Sequence, residues 1–123
     1  MVNYSGFTKR AATPVAGFAK QNGTPTIISW TVPNDGQLHR VMLFASADVT
    51  SAETGGQVSL NVVYPDGAAP PWTVFSGNQG TGTDFSQHAN IAFIVGAGST
   101  VTLTQTSALT GGATTVWAEL WGS

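Results

Sequence analysis

The chain has 123 residues, of which 41% are apolar and only 8% charged, where an ordinary globular domain carries about 25% charged residues. That length allows one domain with a single packed core, and the composition excludes the low hydrophobicity and high charge of a disordered chain. A formal charge of −2 offers no basic patch to nucleic acid, and no apolar run approaches the ~20 residues of a membrane-spanning helix.

There is no cysteine, which removes disulfides and thiolate metal sites and points to a reducing compartment or assembly inside a cell. Asn3, Ser5, Thr8, Lys9 and Arg10 interrupt the start of the chain, so no secretory signal core is expected there. The charges are segregated. Lys9, Arg10 and Lys20 lie in residues 1–24 with no acid among them, whereas Asp35, Asp48, Glu53, Asp66, Asp84 and Glu119 follow with Arg40 as the one later base.

Residues 1–24 show no sustained period, and Tyr4, Phe7, Val15 and Phe18 are spaced singly among Gly, Ala, Thr and Asn. Free in solution such a segment is an extended arm. It lies against another subunit or, alternatively, supplies a first strand that closes a sheet edge. The domain division expected is therefore an N-terminal arm over 1–24 and a β-sandwich over 25–123.

Strands begin at Thr26, with Ile28, Trp30 and Val32 on one face. Pro33-Asn34-Asp35-Gly36 is a turn with glycine at the position of positive φ. From Leu38 to Ala47 both faces are apolar, Val41, Leu43 and Ala45 against Met42 and Phe44, which predicts a strand covered on both sides. Gln57 to Tyr64 alternates again, Pro65-Asp66-Gly67 turns it, and Trp72 to Phe75 is a short strand. Ser76 to His88 reads as a long Gly-rich loop and Ile91 to Val95 as a compact strand. Val101 and Leu103 then oppose Thr100, Thr102, Thr104 and Thr106 in a half-buried strand. In the last strand Val116, Ala118 and Leu120 form one face, and Trp117, Glu119 and Trp121 the other. Seven to eight strands at about ten-residue spacing, without a helix, predict an all-β antiparallel sandwich. Two tryptophans on the back of a strand that already has a core face exceed the needs of one core. That face, with Phe44, is read as a subunit interface, and the low charge fits a surface covered by other protein.

The order of a Trp-containing strand, the Pro-Asn-Asp-Gly turn, Gly55-Gly56-Gln57-Val58-Ser59-Leu60, Val95-Gly96-Ala97-Gly98-Ser99-Thr100-Val101-Thr102-Leu103 and Gly111-Gly112-Ala113-Thr114-Thr115-Val116-Trp117-Ala118-Glu119-Leu120 resembles small jelly-roll proteins of the tumour-necrosis-factor-like type found in the virions of tailed phages. The likeness covers about residues 25–121 and is most specific in the last 28 residues. It implies a sandwich of jelly-roll type and a homotrimer whose C-terminal strands lie near the threefold axis, with Phe44, Trp117, Glu119 and Trp121 at the trimer interface. Glu119 departs from an apolar interface and needs a partner or water. The function this implies is a structural capsid decoration (head accessory) protein on the outer surface of the virion, assembled in the host cytoplasm and bracing the lattice of a major capsid protein. Tyr4, Phe7, Lys9, Arg10, Phe18 and Lys20 would then be the arm's capsid contacts.

No reactive constellation competes with this reading, so no enzyme and no cofactor is expected. Asp84, Ser86 and His88 are residue types of acyl transfer, but no nucleophile elbow accompanies them and their spacing carries no geometry. His39 begins a strand beside Arg40. Asp35 and Asp66 each precede a turn glycine and read as caps of the local backbone, not calcium ligands. Gly77 to Gly82 lacks the lysine and serine of a phosphate loop. The alternative is a receptor- or carbohydrate-binding module of a phage tail or fibre, using loops 48–56, 65–72 and 76–88 with Trp72 as a stacking platform.

Overall fold

Alternation with period two dominates the chain, and its product is an all-β sandwich. The computed structural model describes residues 3–4, 6–13, 18–19, 26–49, 57–76, 85–107 and 114–123. The strands are β1 (Asn3–Tyr4), β2 (Phe7–Ala12), β3 (Phe18–Ala19), β4 (Thr26–Thr31), β5 (His39–Val49), β6 (Gln57–Tyr64), β7 (Gly67–Ala68), β8 (Trp72–Ser76), β9 (Phe85–Val95), β10 (Thr100–Ser107) and β11 (Thr114–Gly122). Among the described residues there is no helix.

The first sheet runs β1-β2-β11-β5-β9, with β3 also beside β11; the second runs β4-β10-β6-β7, with β8 also beside β6. Every pairing is antiparallel. The strands longer than two residues nest in pairs: β2 with β11, β4 with β10, β5 with β9, and β6 with β8. A long hairpin folded over on itself produces that nesting, and it is the jelly-roll arrangement.

The core lies between the sheets. Val41, Leu43, Ala45 and Ala47 of β5 and Val116, Ala118 and Leu120 of β11 meet Ile28, Val58, Leu60, Phe75, Val101 and Leu103 of the second sheet. Each large aliphatic or aromatic side chain so buried contributes roughly 1.5–3 kcal/mol. Turns close one end. Gly36 and Gly98 hold φ of 73° and 77°, and a side chain at Gly98 would press within 3.4 Å of Pro65 and Asn34, so the turns around 33–36, 65–67 and 96–99 pack together.

Two expectations change. The loop assigned to 76–88 ends earlier, because β9 begins at Phe85 and pairs along its whole length with β5, from Val49↔Phe85 to His39↔Val95. A complete backbone ladder holds Ser86, Gln87, His88 and Asn90 in a strand despite their polarity. The division at residue 24 does not follow a structural boundary either. Phe7–Ala12 pairs with β11 as a strand of the sandwich, Phe7 is buried, and Phe18–Ala19 pairs with the other end of β11. A strand laid against β11 satisfies backbone groups that a free arm would leave to water.

Candidate interaction surface

Directly opposed residues of antiparallel strands share a face, so the register shows what the first sheet presents outward. One row is Trp121–Met42–Ala92, the next Glu119–Phe44–Asn90, and the next Trp117–Ser46–His88. Arg40 and Ile94 extend the face at the turn-bearing end. Phe44, Trp117 and Ile94 are 37%, 39% and 61% exposed. Two shallow depressions flank the Phe44 ring. Met42, Phe44, Glu119 and Trp121 line one of about 510 Å³, and Phe44, Ser46, His88, Trp117 and Glu119 line much of the other.

The carboxylate in this apolar field has partners. Trp121 Nε1 donates to Glu119 Oε2 at 3.0 Å, and Lys9 Nζ lies 3.5 Å from Glu119 Oε1. The Lys9 ammonium also sits 5.8 Å from the centre of the Trp121 ring. Glu119 and Lys9 remain about half exposed, so their attraction is worth only about 0–1 kcal/mol in water. Its larger effect is to leave no lone charge if the face is covered.

The residues expected at an interface fall into two groups. Phe44, Trp117 and Glu119 reach the surface together. Trp121 does not: it is 4% exposed, covered within its own chain. Alternation assigns Trp121 to the outer face correctly, but the pairing of Lys9 with Trp121 in β2 brings a long side chain over it.

The side chains expected to bind a capsid are also committed locally where the structure describes them. Arg40 lies over the Phe7 ring at 4.8 Å, Lys9 serves Glu119, and Arg10 lies over Trp30 at 5.2 Å. Tyr4 and Phe18 belong to β1 and β3, with their side chains outside the described set, as is Lys20 altogether. Among the acyl-transfer residue types, His88 is exposed on the outer face, the Ser86 side chain is outside the described set, and Asp84 lies outside the described residues. Among the described residues no three His, Asp or Glu side chains gather as a metal site. Trp72 is 56% exposed, more than core packing would leave.

Asp35 caps the turn as expected, accepting from the Gln37 N–H at 3.1 Å. It also meets His39, a pairing the sequence analysis missed. His39 is 8% exposed, with Nε2 2.9 Å from Asp35 Oδ1. The hydrogen bond to His39, followed by that from Gln37, lowers the Asp35 pKa below its ordinary value. The bond to Asp35, followed by that to Ser123, raises the His39 pKa above its ordinary value. A signal was present: an acid and a histidine four residues apart, astride a Pro-Asn-Asp-Gly turn.

No family model and no curated protein matches the chain. Solved structures of virus particles do. The VP2 subviral particle of infectious bursal disease virus superposes with a TM-score of 0.57 at 16% identity, covering 94% of this chain and 32% of that one. The Gx strain of the same virus gives a TM-score of 0.54 at 16% identity, over 94% of this chain and 31% of that one. The likeness is one of fold and agrees with the nested strand order. This chain spans less than a third of the length of those particle chains.

Proposed function

We propose that this chain is a structural component of a virus particle, working by self-association and not by catalysis. The observation that carries the reading is the outer face of the first sheet, where Phe44 and Trp117 stand exposed beside a Glu119 already partnered by Lys9 and Trp121, with Ile94 exposed farther along the same face. Support for the particle context comes from the fold, shared with chains of infectious bursal disease virus particles. The finer reading is a homotrimeric decoration protein on the outer surface of a phage head, assembled in the host cytoplasm and bracing the lattice of a major capsid protein. Phe44, Trp117 and Glu119 line its subunit contact. Trp121 supports that contact from beneath.

Light scattering tests the assembly. A solution mass three times the 12.7 kDa chain is expected, reduced to that of one chain by Phe44→Ser with Trp117→Ser. A wild-type monomer at tens of micromolar overturns it. Saturable co-sedimentation with undecorated heads tests the partner.

The exposure of Trp72 favours a second reading, a carbohydrate-binding tip. Glycan binding abolished by Trp72→Ala, in a protein that does not bind heads, would replace the first reading with this one.

A further inference from the structure

At the turn-bearing end of the sandwich, the two ring nitrogens of His39 both face acceptors. Nδ1 lies 2.6 Å from the main-chain oxygen of Ser123. Nε2 lies 2.9 Å and 3.1 Å from the two carboxylate oxygens of Asp35. A main-chain oxygen and a carboxylate can only accept. Both ring nitrogens must therefore donate, and only the imidazolium carries two N–H groups. Neutral imidazole in the same place would turn one lone pair toward an oxygen.

The bonds join three parts of the chain. Asp35 belongs to the turn between β4 and β5, His39 opens β5, and Ser123 follows β11. Ser123 is further tied to β5, its N–H donating to the Arg40 carbonyl at 3.0 Å and its Oγ accepting from the Arg40 N–H at 3.1 Å. Just before it, Gly122 lies where a side chain would come within 2.4 Å of the Trp30 ring, so β4 is seated on the same corner.

We propose that His39 is a proton-operated staple that locks this end of the sandwich when charged, by holding the 33–38 turn and Ser123 to the start of β5, and loosens it when neutral. Asp35 on the turn favours the imidazolium. Arg10, reaching across from β2 with its guanidinium over Trp30, opposes it more weakly. Arg40, next in β5, directs its guanidinium over Phe7. The residue opposite on β9 is Val95, which carries no charge.

The pH window follows from the directions of the two shifts. The His39 contribution is fully present below the unfolded-state value of 6.5 and is lost as pH rises through the higher folded-state value. The Asp35 contribution is present above 3.8 and is lost as pH falls through the lower folded-state value. The staple therefore holds across the mildly acidic range and opens as pH rises through the raised His39 value.

Ring-nitrogen and Cε1–H resonances of the whole protein, followed through a pH titration, test this directly. At pH 6 the two His39 ring nitrogens should both be protonated, with a titration midpoint above 6.5, and Asp35→Asn should lower that midpoint. The wild-type melting temperature should fall between pH 6 and pH 9, and His39→Gln should flatten that slope. A wild-type His39 that titrates at or below 6.5 overturns the proposal, whatever the variants do. So does an alkaline slope that persists undiminished in His39→Gln.

Discussion

The two outer faces of this sandwich follow the same rule of alternation to different chemistry, one rich in aromatics and the other in hydroxyls. Outward from the first sheet come Met42, Phe44, Ala92, Ile94, Trp117 and the nearly buried Trp121, with Arg40, Ser46, His88, Asn90 and one partnered carboxylate among them. Outward from the second come Ser29, Thr31, Thr100, Thr102 and Asn61, with the exposed Val63 opposite Thr100 as an apolar member, and with hydroxyl pairs across the strands at 3.4 Å for Ser29–Thr102 and 3.2 Å for Thr31–Thr100. Both sheets feed one core, so the core does not explain the difference. An antiparallel sheet with one wet side needs only polar, β-compatible residues there, and the threonine face supplies them. The aromatic face leaves Phe44, Trp117 and Ile94 more than a third exposed, and the proposed subunit contact is what would cover the first two.

The comparison breaks most sharply at Trp121, which belongs by register to the aromatic face yet already acts as core. Trp121→Ala should destabilise the protomer by about 3 kcal/mol, through lost packing and loss of the Nε1 donor to Glu119. Denaturant midpoints, taken at a concentration low enough to dissociate any oligomer, measure this. An unchanged midpoint with a weakened oligomer would return Trp121 to the interface. Gly122→Ala comes next. A Cβ there meets the Trp30 ring, and the forced shift should cost about 1–3 kcal/mol. Restoration by Trp30→Leu in the same chain would show that overpacking is the cause.

Phe44→Ser with Trp117→Ser sharpens the comparison from the other side. Both side chains are more than a third exposed, so the isolated protomer should change by only about 0.5 kcal/mol per site, as surface substitutions do. The association constant should fall by at least about 30-fold, since loss of an interface anchor costs about 2 kcal/mol or more. Equal losses in fold stability and in association would mean that the aromatics brace the sheet and not a partner.

Much of this was readable beforehand, and what was not has a physical reason. Alternation located β4, β5, β6, β10 and β11 because period two is local: Val101 and Leu103 point inward whatever β10 pairs with. Pairing is not local. That β2 lies against β11, more than a hundred residues later, leaves no trace in either segment's own pattern. So Phe7–Ala12 read first as an arm, with an edge strand as the alternative, and Trp121 read as part of a subunit interface, although Lys9 of its own chain lies over it. The early start of β9 was hidden in the same way, since its polar half is held by a ladder to β5 and not by burial. His39 and Asp35 were close enough to be read together, but each already had a sufficient local explanation, one as a strand start and the other as a turn cap.

The smallest effect belongs to the threonine face. Thr102→Val removes a hydroxyl that meets Ser29 at 3.4 Å, a long contact at an exposed pair, and keeps both the volume and the β-branched shape. A cross-strand hydroxyl pair of this kind contributes roughly 0.2–1 kcal/mol, and valine's strand preference offsets part of that loss. The melting temperature should therefore move by no more than a few degrees, and the mass in solution should not move at all. The second measurement carries the comparison. If Thr102→Val changed the oligomer as Phe44→Ser and Trp117→Ser are expected to, the hydroxyl face would also be a contact surface. The chain would then be covered on both sides, and the difference between its two sheets would be one of partner chemistry instead of one of exposure.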